Sequence, residues 1–294
     1  MKVTNKYNLP EVFVKAFGRQ DYSKGKSHLS VTELINSPRI VQLRNKHWDD
    51  LEEDVSDGVW RGWGSGMHKY LEEVNDSSKH ITEQRLHINL DGIDISGAID
   101  DQEITDDGII ISDYKVTGVW AVMNDKPEWE QQLNMYAWLV EKVKKMPVVK
   151  LQIYALLRDW SEREKKYKTD YPRCQIAVVQ VPLWPLELRE EFIRSRVHVH
   201  SDAFLSSELG EDLPLCSSSE MWEKPTTYAV KKVGGKRAVN VFTAEEDASK
   251  RLKELGKGYE VEVRKGERTR CANYCPVSSF CSQYEEYLKQ QEEV

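Results

Sequence analysis

No apolar run in these 294 residues approaches the roughly 20 needed to cross a bilayer. The opening MKVTNKYNLPEVFVKAFGRQ has no apolar stretch followed by a cleavage site. Neither a membrane span nor a secretory signal is therefore expected, and the expected location is cytoplasmic. No GxxxxGK[ST] loop is present, so the chain is not expected to use ATP. Long internal repeats are lacking. An excess of basic charge is lacking too: the formal net charge is −7. That excludes a protein that coats nucleic acid nonspecifically, though not an enzyme that grips a few phosphates. Cysteine is scarce, with five residues, and disulfides are not expected in that compartment.

What is present is enough apolar content, 39%, for one large domain or two. The charge is unevenly spread. Arg158–Arg173 and Lys224–Arg270 are net basic, whereas Asp49–Asp57, Asp100–Asp107 and the C-terminal tail are acidic. Residues 1–28 read as a loosely packed opening segment. Ser30-Val31-Thr32-Glu33 is a capping box that starts a helix, which Pro38 should interrupt. An acidic linker follows, then a helix over Trp60–Val74 with Gly62, Gly64 and Gly66 at its start and His68 one turn in. His80–Asn89 reads as a strand, and Pro127 is a good first residue for a helix to about Lys145, with Trp129, Leu133, Tyr136, Ala137 and Val140 as its core stripe. Val148–Arg158 and Cys174–Val181 read as strands and Pro185–Leu205 as a helix, with His198 and His200 as surface residues. Residues 226–264 read strand, Gly-Gly turn, strand, helix, strand, with Thr243 and Glu246 as a second capping box.

The densest chemistry lies in GAIDDQEITDDGIIISDYK, residues 97–115. It reads as two strands joined by the turn Thr105–Gly108. Side chains alternate along a strand, so Asp113 and Lys115 share one face and Tyr114 takes the other. A hairpin can bring Asp100 opposite that face. Two carboxylates and an ammonium at the end of an apolar hairpin form a hard-oxygen site for a divalent cation, the chemistry of metal-assisted phosphodiester hydrolysis. Gln132 and Tyr136, four apart, lie on one face of the following helix.

The ordered set Gly64-x-x-x-His68, Gly97-Ala98-Ile99-Asp100, Asp113-Tyr114-Lys115 and Gln132-x-x-x-Tyr136 resembles the PD-(D/E)XK nuclease superfamily, in its RecB-like exonuclease branch. The resemblance covers roughly residues 29–200. It implies an α/β, restriction-endonuclease-like fold: a mixed β-sheet core flanked by helices, here with a small inserted β-hairpin/helix unit and a Cys-rich C-terminal segment. The division it suggests is a nuclease core over 1–215, an insert over 216–270, and a segment over 271–294 packing back on the core. It implies that His68, Asp100, Asp113 and the main-chain carbonyl of Tyr114 bind Mg²⁺ or Mn²⁺. Lys115 would position or activate the attacking water, Gln132 would hold the substrate backbone or support the lysine, and Tyr136 would pack beside it. The activity implied is a metal-dependent deoxyribonuclease, an exonuclease acting on DNA ends in recombination, replication or repair. The compact chain looks like a bacteriophage enzyme, placed then in the host cytoplasm and working with separate recombination or replication proteins. The alternatives are a structure- or sequence-specific endonuclease and a non-catalytic DNA-binding protein of the same fold. Trp120 and Tyr167 are candidates for stacking on a single strand.

Three cysteines, Cys271, Cys275 and Cys281, fall within eleven residues, a spacing that points to a metal site. The segment resembles the C-terminal cluster of RecB-like nucleases that carry a [4Fe–4S] centre. In those relatives the first cysteine lies beside a proline in the N-terminal helix, where this chain has Ser37-Pro38. Cys216, just ahead of the insert that Cys271 follows, is the expected replacement. Structural Zn²⁺ on the same four thiolates is the alternative. Cys174 reads as a buried thiol.

Overall fold

A computed structural model describes residues 1–18, 24–75 and 77–292; residues 19–23 of the opening segment lie outside the described residues. In chain order, the first elements are β1 (Lys2–Thr4), α1 (Glu11–Phe17), β2 (Leu29–Ser30), α2 (Val31–Leu34), α3 (Pro38–Lys46), β3 (Glu52–Asp54) and α4 (Val59–Val74). The central run is β4 (His80–Leu90), β5 (Ile93–Thr105), β6 (Gly108–Thr117), α5 (Val119–Met123), α6 (Pro127–Lys144), β7 (Val148–Leu157), α7 (Glu162–Tyr167), β8 (Ile176–Val181) and α8 (Leu186–Leu209). The C-terminal run is β9 (Glu223–Lys224), β10 (Thr227–Lys232), β11 (Ala238–Phe242), α9 (Glu245–Leu255), β12 (Tyr259–Arg264), β13 (Glu267–Arg268), α10 (Thr269–Asn273) and α11 (Ser282–Glu292). Backbone contacts divide the chain into two units, Met1–Pro38 with Trp48–Asp212, and Arg39–His47 with Leu213–Val294. No helix among the described residues is long and apolar enough to cross a membrane.

The first unit is built on a mixed six-stranded sheet in the order β2-β5-β6-β7-β8, with β4 also paired to β5. The hairpin β5–β6 is antiparallel, β6–β7 is parallel, and β7–β8 is antiparallel. Ile95, Ile99, Ile109, Ile111, Leu151 and Ile153 fill one face. Against it lies α6, which starts at Pro127 as expected but is buried all round from Leu133 to Val140 rather than on one stripe. The polar residue in that stretch is satisfied: Asn134 donates to the carbonyls of Glu130 and Pro182 and accepts from Trp184 N. The Ser30–Glu33 capping box forms as read, and the chain breaks before α3 begins at Pro38.

The second unit holds a three-stranded sheet in the order β11-β10-β12, with α9 on it. The expected Thr243 capping box is not formed. The helix starts one residue later, with Ala244 as an N-cap that offers no side-chain oxygen. The short pair β9–β13 closes the two ends of this β-β-α-β segment against each other.

Candidate active site

Two partners share one edge of β5, and neither covers its middle. From one end, β6 pairs with it only as far as Asp101↔Ser112. From the other, β2 pairs at Leu29↔Ile95 and Ser30↔Ser96. Gly97 to Asp100 therefore lie at a fork between strands. The open edge forms the wall of a concavity lined among others by His68, Glu83, Asp100, Asp113, Lys115 and Gln132. Gly97 lets α6 come down on this fork: a Cβ there would lie 2.9 Å from the Tyr136 ring and 2.8 Å from a Leu139 methyl.

All five side chains expected to carry or ligate meet here. Asp113 is 1% exposed. Its Oδ2 is ion-paired with the Lys115 ammonium but has no aligned hydrogen bond among the described residues. Asp100 Oδ2 accepts from Tyr114 N at 2.8 Å, and its other oxygen lies 3.7 Å from His68 Nδ1. Burial, then the Asp113 charge, pushes Asp100 up to about 7, against the pull of His68 and Lys115. On α6, Gln132 donates to the Tyr136 hydroxyl at 2.9 Å, so the tyrosine orients the amide.

His68 on α4 reaches across to the carbonyl of Tyr114, 3.0 Å from Nε2. A carbonyl only accepts, so Nε2 carries the proton and Nδ1 faces the carboxylates. Metal-ligating histidines are held in just this way, through the far ring nitrogen. The Tyr114 carbonyl, expected as a ligand itself, accepts from His68 through one of its two lone pairs. Burial opposes charge on the imidazole, but the Glu83 hydrogen bond, Asp100 and the Tyr114 carbonyl outweigh it and raise His68 to about 9.

Glu83 is the residue that sequence reasoning missed. Its Oε1 lies 3.3 Å from His68 Nδ1. His68, Glu83 and Asp100 each bring a ligating atom within 4.8 Å of the others, and among the described residues they are the one such group of three. The β4–β5 ladder pairs Thr82↔Asp101 and Gln84↔Ile99 and skips Glu83, whose φ is 48°. A left-handed glutamate inside a strand is uncommon, and this one faces the point where Asp100 lies. The signal that could have found it is hairpin register: continuing the unshifted β4–β5 pairing sets Glu83 opposite Asp100.

This donor set suits a hard divalent cation. Three carboxylates and an imidazole nitrogen converge, and one of the carboxylates, Asp113, is buried against the Lys115 ammonium. Asp101, by contrast, points to the other face, where His80 Nδ1 lies 2.8 Å from it.

In the second unit, Cys216, Cys271, Cys275 and Cys281 line one pocket with Arg39, Met221 and Tyr284. Burial pushes the Cys271 thiol up to about 11, and the other three sulfurs add to the shift. Buried Arg39 donates from Nε to Cys281 Sγ at 3.2 Å and from Nη1 to Leu213 O at 2.7 Å. Gln283 clamps the Cys216 backbone, accepting from its N at 2.8 Å and donating to its O at 2.9 Å. Cys174, read as buried, is exposed ahead of β8.

Solved structures similar to the chain include two that cover about two thirds of it. One is the crystal structure of SSO0001, 18% identical, covering 64% of this chain and 85% of that one with a TM-score of 0.44. The other is an alkaline exonuclease (LHK-Exo) from Laribacter hongkongensis, 9% identical, covering 68% and 97% with a TM-score of 0.37. Comparison with curated proteins finds no match. The family model of the PD-(D/E)XK nuclease superfamily matches residues 28–282, most of the length and every strand and helix that builds the fork. The chain belongs to the PD-(D/E)XK nuclease superfamily.

Proposed function

We propose that the chain is a divalent-metal-dependent deoxyribonuclease of the RecB-like branch, an exonuclease that hydrolyses DNA from its ends. The observation that carries this reading is the convergence of His68, Asp100, Asp113, Lys115 and Gln132 on one concavity at the β5–β6 fork. Asp100, Asp113, Glu83 and His68 Nδ1 would hold Mg²⁺ or Mn²⁺. Such an ion polarises a phosphoryl oxygen and lowers the pKa of water. Lys115, fixed by Asp113, presents an ammonium that orients the attacking water and offsets charge on the phosphate. Gln132, held by Tyr136, offers an amide to the substrate backbone.

The test uses linear single- and double-stranded DNA labelled at either end, with Mg²⁺ or Mn²⁺, beside circular DNA of both kinds. Cation-dependent shortening from an end with intact circles is the expected result. Cleavage of the circles would assign an endonuclease instead. No digestion of any substrate would reject the nuclease reading.

The second part of the reading is a [4Fe–4S] cluster on Cys216, Cys271, Cys275 and Cys281. The four sulfurs share a pocket, yet no three lie within 4.8 Å of one another among the described residues. Structural Zn²⁺ on the same four thiolates remains the alternative. Arg39, at the cysteine pocket, adds a buried cation that offsets thiolate charge. In this reading residues 1–215 carry catalysis, and the insert 216–270 and segment 271–294 are held by the cluster. Iron and sulfide analysis of anaerobically purified protein decides it, with iron-free, chelator-resistant protein as the contrary result.

A further inference from the structure

Beyond the acid–lysine cluster, the start of α4 exposes two tryptophans, Trp60 at 47% and Trp63 at 48%. Their rings stack with centroids 5.4 Å apart and planes 18° from parallel. Arg158, one residue past the end of β7, lays its guanidinium over Trp60, 4.4 Å from the ring centroid. An i, i+3 aromatic pair on a helix ordinarily packs into a core. Here it forms a rigid, planar apolar surface left open to water, which marks a binding surface more often than an accident.

The glycines beside it point the same way. A Cβ at Gly62 would strike Phe17 at 2.5 Å, so packing requires that glycine. At Gly64 and Gly66 a Cβ would meet nothing within 4 Å among the described residues. Each costs about 1 kcal/mol relative to alanine inside a helix, and packing within the described chain accounts for neither. They leave the helix surface next to Trp63 bare, open to close approach by a backbone from outside.

From Trp63 to His68 is five helical residues, about 7.5 Å of axial rise and about 140° of turn, so the tryptophan lies beside the concavity that His68 lines and not within it. From Lys115 to Thr117 is two strand residues, about 6.6 Å, and Arg158 N donates to Thr117 O at 2.9 Å. Exposed Trp120, with Lys126 over its ring, follows β6 at the same end of the sheet.

We propose that Trp60 and Trp63, capped by Arg158, form a stacking platform for unpaired bases of the substrate strand, beside the concavity where Lys115 meets the phosphate. The inference rests on the nuclease reading and adds a substrate class to it: single-stranded DNA, or a duplex end whose last pairs are opened. Nucleobases fit better than an apolar protein segment. Every base has a flat face for the indoles, and the strand that carries it brings phosphates for the guanidinium, which an apolar segment would leave without a counter-charge.

The test is made in the Lys115→Ala full-length protein with Mg²⁺, by fluorescence anisotropy. The probes are an end-labelled 20-nucleotide oligothymidylate and an abasic strand of the same length. Adding Trp63→Ala or Trp60→Ala should weaken oligothymidylate binding about 5- to 150-fold and leave abasic binding unchanged, while Trp63→Phe retains most of the affinity. Unchanged oligothymidylate affinity in Trp63→Ala overturns the proposal. So does an equal loss on both strands, which would report charge or folding instead of stacking. Unchanged affinity with a loss of self-association on sedimentation would assign the rings to a second copy of the chain. Digestion by the unaltered protein is scored apart. If it cuts DNA and Trp63→Ala binds normally, the platform alone fails. If it neither cuts nor binds DNA, the nuclease reading and the platform fail together.

Discussion

Glu83 is held at a φ of 48° inside a strand, a conformation that costs a non-glycine residue of order 1–3 kcal/mol. What the conformation achieves is to aim a carboxylate at His68 and Asp100. Glu83→Gly should therefore keep or raise stability in a denaturant titration, because glycine adopts that φ freely, while losing the carboxylate. Glu83→Gln should weaken Mn²⁺ binding, measured by calorimetry, by at least the 10- to 100-fold that loss of an outer-shell partner costs. Lys115→Ala should lower the rate of Mg²⁺-dependent DNA digestion by about 10²–10⁴-fold and shift the melting temperature in metal-free buffer, because it leaves the buried Asp113 carboxylate without its counter-charge. Digestion at the wild-type rate would remove Lys115 from the site. The acid, lysine and glutamine positions were legible because strand alternation and the i, i+4 rule put them on faces that could meet. Glu83 lies opposite Asp100 in an unshifted β4–β5 register, so pairing that hairpin residue by residue was the signal that could have found it.

At the scale of elements, the fork depends on α6 lying close to β5, and Gly97 is what permits that approach. Gly97→Ala places a methyl 2.8–2.9 Å from Leu139 and the Tyr136 ring. Overpacking of this kind should cost about 1–3 kcal/mol by chemical denaturation. It should also lower activity, because Tyr136 carries the hydrogen bond that orients Gln132. On α8, His198 is exposed as expected, but His200 is 1% exposed. The two residues differ because the helix turns about 200° between them, so one faces water and the other α2. Burial, then Arg196, holds His200 down at about 4. Arg196 itself donates to the carbonyls of Leu34 and Asn36. The folded pKa lies below the unfolded value of about 6.5, so the unfolded chain binds the extra proton between them. His200 should therefore stabilise the fold fully above about pH 6.5 and progressively less toward pH 4, with a slope of up to about 1.4 kcal/mol per pH unit. His200→Gln should flatten that part of the stability–pH profile, and an unchanged profile would show that the histidine is already charged when folded.

At the scale of the whole molecule, the two units rest on different chemistry. The first has a continuous apolar core beneath its sheet. The second has a few buried apolar residues, such as Ala229, Val230, Ala248 and Val277, and a pocket of four thiols. Cys216→Ser should thus abolish iron incorporation and raise protease sensitivity within 213–294, with the first unit's core still protected in hydrogen exchange. The sequence by itself determined the main elements of the central run and of the insert, the capping of α2, the hairpin that carries Asp100 and Asp113, and the family, but not β1, α1, β3, α7 or the C-terminal helices. Those follow from local periodicity and from motifs whose spacing survives without knowledge of the fold. It also placed Cys216 with the three later cysteines, because an insert must return to where it left. Only the tertiary structure decided which strand edge stays open, that α6 is buried all round, and that Arg39 reaches Cys281. Each of those depends on what approaches from far along the chain, and contacts between distant segments leave no period in the sequence to read.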